Sequence, residues 1–349
     1  MKFIDLVTYD YFLPPDLIRR EPLEPRDSAR LFVYDTKTDT IVFDTFKNLA
    51  QHLPKKALMV LNDTRVWPAR LWLRKATGGK IEVLVLVNEW DEKGLIPALV
   101  DRKVTIGDVL SFSDGSKLIV EQQQEQKFFF RLESRNSLQT LLEMFGTTPI
   151  PHYIEEDEER EEPLLRQRYQ TVFAQAGASV AAPTASLHFT EEVFERLEQK
   201  DIERAYITLN VGLGTFAPLQ EENFLTGKLH GEWVTIPETT IKRIEATQQH
   251  QKPIIAVGTT PTGALETLAQ QKEMRVWTMK ADFFVYPPYQ FQIVDILITN
   301  FHLPKTSLML LVDAFLRSKG AQRGVQELYQ EAIKAKFSFY SFGDSMLIL

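Results

Sequence analysis

The sequence predicts an α/β protein whose main domain, residues 1–70 and 136–349, is interrupted by an inserted all-β unit over residues 71–135. Three observations carry this prediction. The 349 residues are enough chain for about two domains. Short strand-like runs separated by turn signals crowd between Arg70 and Leu132. Beyond residue 190, strand-like and helix-like segments alternate, as they do in an α/β sheet.

In chain order, Leu31–Tyr34 and Thr40–Phe46 read as a hairpin around polar Thr36–Asp39, and Ala57–Leu61 as an apolar strand running into Asn62 and Asp63. Arg70–Arg74 and Lys80–Val87 flank the turn sequence Ala76-Thr77-Gly78-Gly79. Val109–Phe112 and Lys117–Glu121 flank Ser113-Asp114-Gly115-Ser116, and Phe128–Leu132 completes the β unit. Leu138–Phe145 has helical spacing and is stopped by Gly146 and the Pro149/Pro151 pair. Glu155–Glu162, seven acids and Arg160, reads as a solvated loop. Thr190 is placed to cap a helix through Gln199, with Glu191 and Glu192 in the first turn complementing the helix dipole. Ala205–Val211 then reads as a strand, Glu238–Gln249 as a helix, Ile254–Val257 as a buried strand, and a further helix starts from about Gly263. Val276–Val285 and Ile293–Thr299 look extended, Ser307–Arg317 and Val325–Lys336 helical, and Ser345–Leu349 extended.

Apolar residues make up 44% of the chain and charged residues 25%, which excludes collagen-like, disordered and coiled-coil readings. Cysteine is absent, so disulfides, thiolate zinc sites, iron–sulfur clusters and a cysteine nucleophile are excluded. No run reaches the roughly 18 apolar residues that span a bilayer. Met1–Asp10 lacks the basic-then-apolar order of a secretion signal, so a cytoplasmic protein with no membrane contact is expected. Gly212-Leu213-Gly214 is followed by Pro218 where a dinucleotide-binding helix would open, and there is no phosphate-binding loop ending in Gly-Lys-Ser/Thr. No His-x-x-x-His spacing supports a metal site. The net charge is −7, yet Met1–Lys80 carries 14 Lys/Arg against 10 Asp/Glu, a local +4 that favours a polyanionic partner.

Polar clusters at strand–helix junctions supply the candidate site residues, because sites are commonly built on such loops. Arg26-Asp27-Ser28-Ala29-Arg30 sets two guanidiniums beside a carboxylate, suited to grip a phosphate or carboxylate, or else to form a surface ion pair. Asn62 and Asp63 form a turn signal, and Arg65, Trp67 and Arg70 beside them make a phosphate-and-base surface. Ala181–Thr190 brings small residues, Thr184 and His188 to a helix start, whose free N–H groups favour negative charge. A histidine placed there is either catalytic or structural. Gly212 and Gly214 let a strand end bend around a ligand, with Glu232 following as a base or hydroxyl acceptor. Tyr286, Tyr289, Phe301 and His302, with Asp295 and Asn300 near them, are suited to sandwich a planar base or to form an aromatic core.

Ten strings in order run from residue 26 to residue 346: RDSARL, LNDTRVWPARL, GGKIEVLVL, RYQTVFA, SVAAPTASLHF, VGLGTFAPL, LHGEWVTIP, AVGTT, ITNFHLP and YSFGDSM. Together they resemble the S-adenosylmethionine:tRNA ribosyltransferase-isomerase family of queuosine biosynthesis. The resemblance implies an α/β main domain of distorted barrel type with an inserted all-β, barrel-like domain. It also implies a reaction: the ribosyl part of S-adenosylmethionine passes to the amine of 7-aminomethyl-7-deazaguanine in a tRNA anticodon loop. The ribose rearranges to an epoxycyclopentane, giving epoxyqueuosine, and adenine and methionine are released. Five positions depart from the family pattern, which has His where this chain has Asn210, Gly where it has Ser186 and Pro288, and Arg where it has Gly263 and Ser338. These departures leave open a protein of the same fold that binds tRNA or a nucleoside without this activity, or that acts on another nucleoside-type substrate.

The implied chemistry makes demands on residue types. The sulfonium acidifies the C5′ hydrogens, so a base is needed, and adenine leaves more readily when protonated, so an acid is needed too. No metal or redox cofactor is expected, S-adenosylmethionine being a substrate. His188, Glu232, His302 and Asp295 are the candidates for acid and base, with His188, Glu232 and His302 expected to converge on one cavity. Arg26, Arg30, Arg65 and Arg70 are candidates for tRNA phosphate or substrate carboxylate contacts. Asn62, Asp63, Thr184, Gly212, Gly214, Thr259, Tyr286 and Asn300 complete the candidate substrate-binding set. The oligomeric state is left open.

Overall fold

The computed structural model describes residues 4–91, 94–151, 161–212, 219–271 and 277–349. The hairpin forms as expected from β1 (Arg30–Asp35) and β2 (Thr40–Thr45), followed by a single turn, α1 (Leu49–His52). The apolar run Leu-Met-Val-Leu becomes β3 (Leu58–Asn62), buried along its whole length, and the short β4 (Thr64–Val66) follows it.

Six strands then close into an antiparallel barrel: β5 (Arg70–Lys75), β6 (Lys80–Val85), β7 (Ile96–Val100), β8 (Val109–Ser111), β9 (Lys117–Gln124) and β10 (Lys127–Glu133). Alternate residues of these strands, among them Leu71, Leu73, Ile81, Val83, Leu118 and Phe130, fill its interior. Helix α2 (Leu138–Phe145), capped by the Ser137 hydroxyl, adds Leu138, Leu141 and Leu142 to that same core. The apolar cluster of the barrel therefore runs past residue 135, where the sequence places its end. Strand β7 was not expected, since Pro97 lies inside it.

The rest of the chain adds α3 (Glu162–Arg168), β11 (Ala176–Ser179), α4 (Glu191–Glu198), β12 (Glu203–Leu209), α5 (Glu221–Thr226), β13 (Lys228–Ile236), α6 (Glu238–Gln249), β14 (Ile254–Val257), α7 (Thr259–Ala269), β15 (Trp277–Phe283), β16 (Ile296–Asn300), α8 (Ser307–Ser318), α9 (Val325–Lys334) and β17 (Ser345–Ile348). Nine strands form one mixed sheet in the order β15-β13-β12-β3-β14-β16-β17-β1-β2. Among the described residues this sheet is open, and the main part of the chain shows no closed barrel of the kind the family resemblance implies.

Both faces of the sheet are covered, and period-two alternation decides which side chain goes where. Leu58 and Val60 of β3 and Ile254 and Ala256 of β14 join the larger core, with Ile241, Leu265, Leu310 and Leu328 from α6 to α9. Met59, Leu61, Ile255 and Val257 face the other way, onto Leu49, Phe194 and Leu197 from α1 and α4. Helix α7 starts four residues before the expected Gly263. Gly258, at φ 98°, turns the chain out of β14 in a conformation a side chain rarely adopts. Pro261 then falls in the first turn, where a missing N–H costs nothing.

Strands β12, β3, β14 and β16 are mutually parallel. Their carboxyl ends, Leu209, Asn62, Val257 and Asn300, thus share one edge of the sheet, where α/β proteins place ligands.

Candidate functional site

At that edge, the loops after β14 and β16 enclose a cavity of about 850 Å³ counted out to open solvent. Thr184, Thr259, Asn300, His302 and Tyr340 line it together with small and apolar residues. The Thr184 hydroxyl donates to Asn300 Oδ1 at 3.0 Å, and Asn300 Nδ2 reaches the Asp344 carbonyl at 3.4 Å. His302 Nε2 lies 2.9 Å from Thr299 Oγ1. The His302 main chain is held from two sides: its N–H donates to Tyr329 Oη at 3.1 Å, and its carbonyl accepts from the Tyr11 hydroxyl. Burial pulls the His302 pKa down to about 3, so the ring is neutral at pH 7. Tyr340, at φ 74°, occupies the left-handed region unfavourable to a bulky residue, and this local strain sits at the cavity wall.

A second cavity, of about 600 Å³, shares Thr259, Thr260 and Leu308 with the first and adds His230, Glu232, Gly263 and Ser307. A third, open space of about 2030 Å³ shares Leu229, His230 and Glu232 with the second and extends between the barrel and the main sheet. The barrel contributes Asn88, Glu89 and Lys127 to it, and the sheet contributes Gly212, Trp233 and Lys280. Glu232 Oε1 accepts the Gly212 N–H at 2.8 Å. A Cβ on Gly212 would lie 2.6 Å from Asn88 Nδ2, so a side chain there would push the Asn88 amide aside where barrel and sheet meet. Trp233 leaves half of its surface exposed there.

Of the sequence candidates, Thr184, Thr259, Asn300, His302, Glu232 and Gly212 thus line connected spaces. His188 does not join them. It is buried beside a small separate cavity with Arg26 and Arg168, so the expected convergence of His188, Glu232 and His302 on one cavity is not found. Asp295 sits at the opposite edge of the sheet, where its Oδ2 accepts the Ile254 N–H at 3.0 Å at the start of β14.

Two of the four arginines are committed elsewhere. Arg30 donates to the carbonyls of Ala335 and Lys336 at 2.7 and 3.2 Å and stacks 3.8 Å over the Phe337 ring. Arg70 is buried, donating to Glu82 at 3.0 Å and to the Ile150 carbonyl at 3.0 Å. Arg65 is exposed, with Glu143 at 3.4 Å, and Arg26 spends one donor on the Gln170 carbonyl at 2.9 Å. Asn62 braces β3 to β12 through Leu209, and Asp63, its pKa raised by burial, accepts from the Thr208 hydroxyl at 2.7 Å. Tyr286 packs against Phe224 and Phe284 as part of the core. Gly214 and most of the acidic run lie outside the described residues.

The departures from the family pattern have visible settings. Asn210 Oδ1 accepts from the Ala178 N–H at 3.1 Å and from the Thr64 hydroxyl at 3.3 Å. Gly263 has no atom within 4 Å of where a Cβ would stand and opens onto the second cavity. Ser338 Oγ accepts from Arg19 Nη2 at 2.9 Å, so a guanidinium stands at that place although it comes from a distant segment. The Ser186 hydroxyl is buried without a hydrogen-bond partner. Pro288 follows Pro287 through a cis peptide.

Sequence reasoning missed Thr306, Tyr340 and Ser341 as cavity walls. The string YSFGDSM flagged the last two, but nothing in it signals a left-handed tyrosine.

The profile of a family described as queuosine biosynthesis protein matches residues 6–348. The chain is similar over 98% of each sequence to the S-adenosylmethionine:tRNA ribosyltransferase-isomerases of Thermotoga maritima (40% identity) and Aquifex aeolicus (41% identity). The enzyme of that name from Coxiella burnetii is 38% identical over 97% of each. A crystal structure of the S-adenosylmethionine tRNA ribosyltransferase of Thermotoga maritima matches at a TM-score of 0.53 and 32% identity, covering 98% of this chain and 99% of that one.

Proposed function

The chain belongs to the queuosine biosynthesis protein family, and from that premise we propose that it is an S-adenosylmethionine:tRNA ribosyltransferase-isomerase acting in the cytoplasm. The observation that carries this reading is similarity at about 40% identity along 98% of each chain. The finer reading is that the acceptor is the amine of 7-aminomethyl-7-deazaguanine in a tRNA anticodon loop, and the product epoxyqueuosine.

In this reading S-adenosylmethionine occupies the two connected cavities at the carboxyl edge of the sheet. Thr184, Asn300 and Thr259 supply hydroxyl and amide groups to orient it. The N-terminus of α7 opens on the same space and favours negative charge there. Proton handling falls to His302 and Glu232, the two candidates on connected walls. His302 is assigned removal of the C5′ proton, which the sulfonium acidifies, on its position in the cavity wall, while its lowered pKa makes it a weak base unless bound substrate raises that value. Glu232 stands toward the open cleft, where the tRNA base would enter between barrel and sheet and where Trp233 offers a stacking face. Asp295 is withdrawn from this role by its position. The barrel, here read as an inserted domain, forms the far wall of that entry. The reaction needs no metal and no redox cofactor.

The test is to incubate the protein with S-adenosylmethionine and tRNA carrying 7-aminomethyl-7-deazaguanine, and to analyse the digested tRNA by mass spectrometry. Epoxyqueuosine with equimolar adenine and methionine is the expected result. Unchanged tRNA in the presence of both bound substrates would instead support the reading as a binding protein.

A further inference from the structure

We propose that the small cavity enclosed by Arg26, Arg168 and His188 is a dedicated site for one oxyanion group of a substrate, either a tRNA backbone phosphate or the S-adenosylmethionine carboxylate. The proposal rests on the transferase reading above, and it assigns a role to residues that the catalytic cavities leave unused.

The cavity holds about 300 Å³ counted out to solvent and is walled by Leu23, Phe342 and Ser341 besides Arg26, Arg168 and His188. It is separate from the central cavity, but Ser341 lines both. Only a small part of that space is enclosed, enough for a single tetrahedral or planar anion.

Its polar walls are incompletely satisfied. His188 is only 3% exposed, and its Nε2 meets no hydrogen-bond partner. Buried polar atoms are normally paired, and an orphan facing a cavity asks what fills it. Arg168 Nε also lacks a hydrogen-bond partner, and its one ion pair is a 3.7 Å contact with largely exposed Glu24. Arg26 spends a single donor on the Gln170 carbonyl although the residue is half buried. The charged groups facing His188 are Arg19 and Arg26, with Arg168 beside it and Glu24 paired to Arg168. A planar guanidinium fork matches phosphate and carboxylate oxygens, and two forks around one small cavity make a strongly anion-selective arrangement.

His188 gives the site a signature. Burial first, and then Arg19 and Arg26, disfavour its cation and keep the ring neutral at pH 7, against the opposing effect of main-chain hydrogen bonding at Arg26 and Gly343. An arriving oxyanion reverses the local charge balance and accepts a hydrogen bond from protonated Nε2. Below the raised midpoint, binding should take up a proton, and above it the neutral Nε2–H tautomer donates instead.

The experiment follows the His188 imidazole by NMR in the full chain with labelled histidine, assigned by comparison with His188→Asn. Spectra are recorded in an oxyanion-free buffer, then with inorganic phosphate, with methionine and with unmodified tRNA. We expect the titration midpoint of His188 to rise by at least one pH unit with a probe that enters the site. Dissociation constants of Arg26→Gln and Arg168→Gln variants identify the source. Weakening of tRNA binding at least tenfold with S-adenosylmethionine affinity unchanged assigns a phosphate, and the converse assigns the carboxylate. A His188 signal indifferent to all three probes overturns the site. The wild-type product assay is independent of this outcome, so failure of the oxyanion site and failure of the transferase reading are distinguishable.

Discussion

Tyr289 donates its hydroxyl to Glu266 Oε2 at 2.8 Å, tying the loop before β16 to the middle of α7. The same carboxylate accepts the N–H groups of Gln292, Ile293 and Val294 at 2.9–3.0 Å, although Glu266 is fully buried. One side chain thus satisfies three main-chain donors that no sheet partner could reach. Removing it would leave them unpaired in the core. Glu266→Ala should destabilise the protein by about 3 kcal/mol or more, and Glu266→Gln, which sets an NH₂ against some of those donors, by about 2 kcal/mol. Urea denaturation measures both. Unchanged midpoints would mean that water replaces the carboxylate.

Two glycines should respond in opposite directions to alanine. Gly263 lies within α7 with open space where a Cβ would stand, so Gly263→Ala should raise stability by about 0.5–1 kcal/mol. A Cβ on Gly146 would stand 1.9 Å from the Pro68 carbonyl oxygen, so Gly146→Ala should cost several times that amount or prevent folding. Melting temperatures of the pair decide the matter, and equal shifts would contradict both close-approach arguments.

If His302 and Glu232 carry the protons, His302→Ala and Glu232→Gln should each lower kcat roughly 10²–10⁴-fold. S-adenosylmethionine binding, read by calorimetry, should change far less. Asp295→Asn, at the far edge of the sheet, should leave kcat within about threefold of the wild type. A large loss there, with the two former variants active, would move the chemistry elsewhere.

Burial pulls the His188 pKa down to about 4, against about 6.5 in an unfolded chain. Between those values the unfolded chain binds more protons than the folded one. Its neutral burial is therefore free of penalty above about pH 6.5 and increasingly costly as pH falls toward 4. The slope is up to about 1.4 kcal/mol per pH unit. Denaturant midpoints of wild type and His188→Asn in oxyanion-free buffer should converge as pH is lowered from 7 to 5. Parallel pH dependence in the two proteins would show that His188 does not titrate in this way.

Activity should survive a chelator, and tRNA affinity should fall steeply between about 50 and 200 mM salt, because neutralised phosphates release counterions. Arg65→Gln, removing an exposed guanidinium, should flatten that salt dependence by about one contact, whereas conservative changes at buried Arg70 should act on stability instead. Full inhibition by chelator with rescue by one divalent ion would refute the metal-free reaction.

The parallel core of the sheet was legible because β3, β14 and β16 are apolar runs, and such runs mean burial on both faces. Strand β13 escaped notice because Gly231 and charged residues break the alternation of a half-exposed strand. At the site, Thr184, Asn300 and His302 were found because they sit at a strand end or just after one. The arginines were harder. A guanidinium in the sequence advertises donors but not their destination, and Arg30 sends its donors to carbonyls more than 300 residues away. His188 was recognised as notable from its place before a helix cap, yet only the packing of Arg26 and Arg168 around it separates it from the central cavity.

The chain enters and leaves the barrel at one point. Arg70 and Thr147 form a two-way bridge, with N–H to carbonyl distances of 3.2 and 2.8 Å, and Gly146 abuts the Pro68 carbonyl beneath it. The barrel is therefore an excursion with adjoining ends, fastened like a pendant by its clasp. The sheet can complete its strand order without threading through it. Beyond that clasp the barrel meets the rest of the molecule at Gly212 and through Val180 of the segment after β11, which packs into the barrel's apolar cluster. A lineage can thus reshape the barrel's outer turns while the strand edge that holds the small-molecule cavity stays in register.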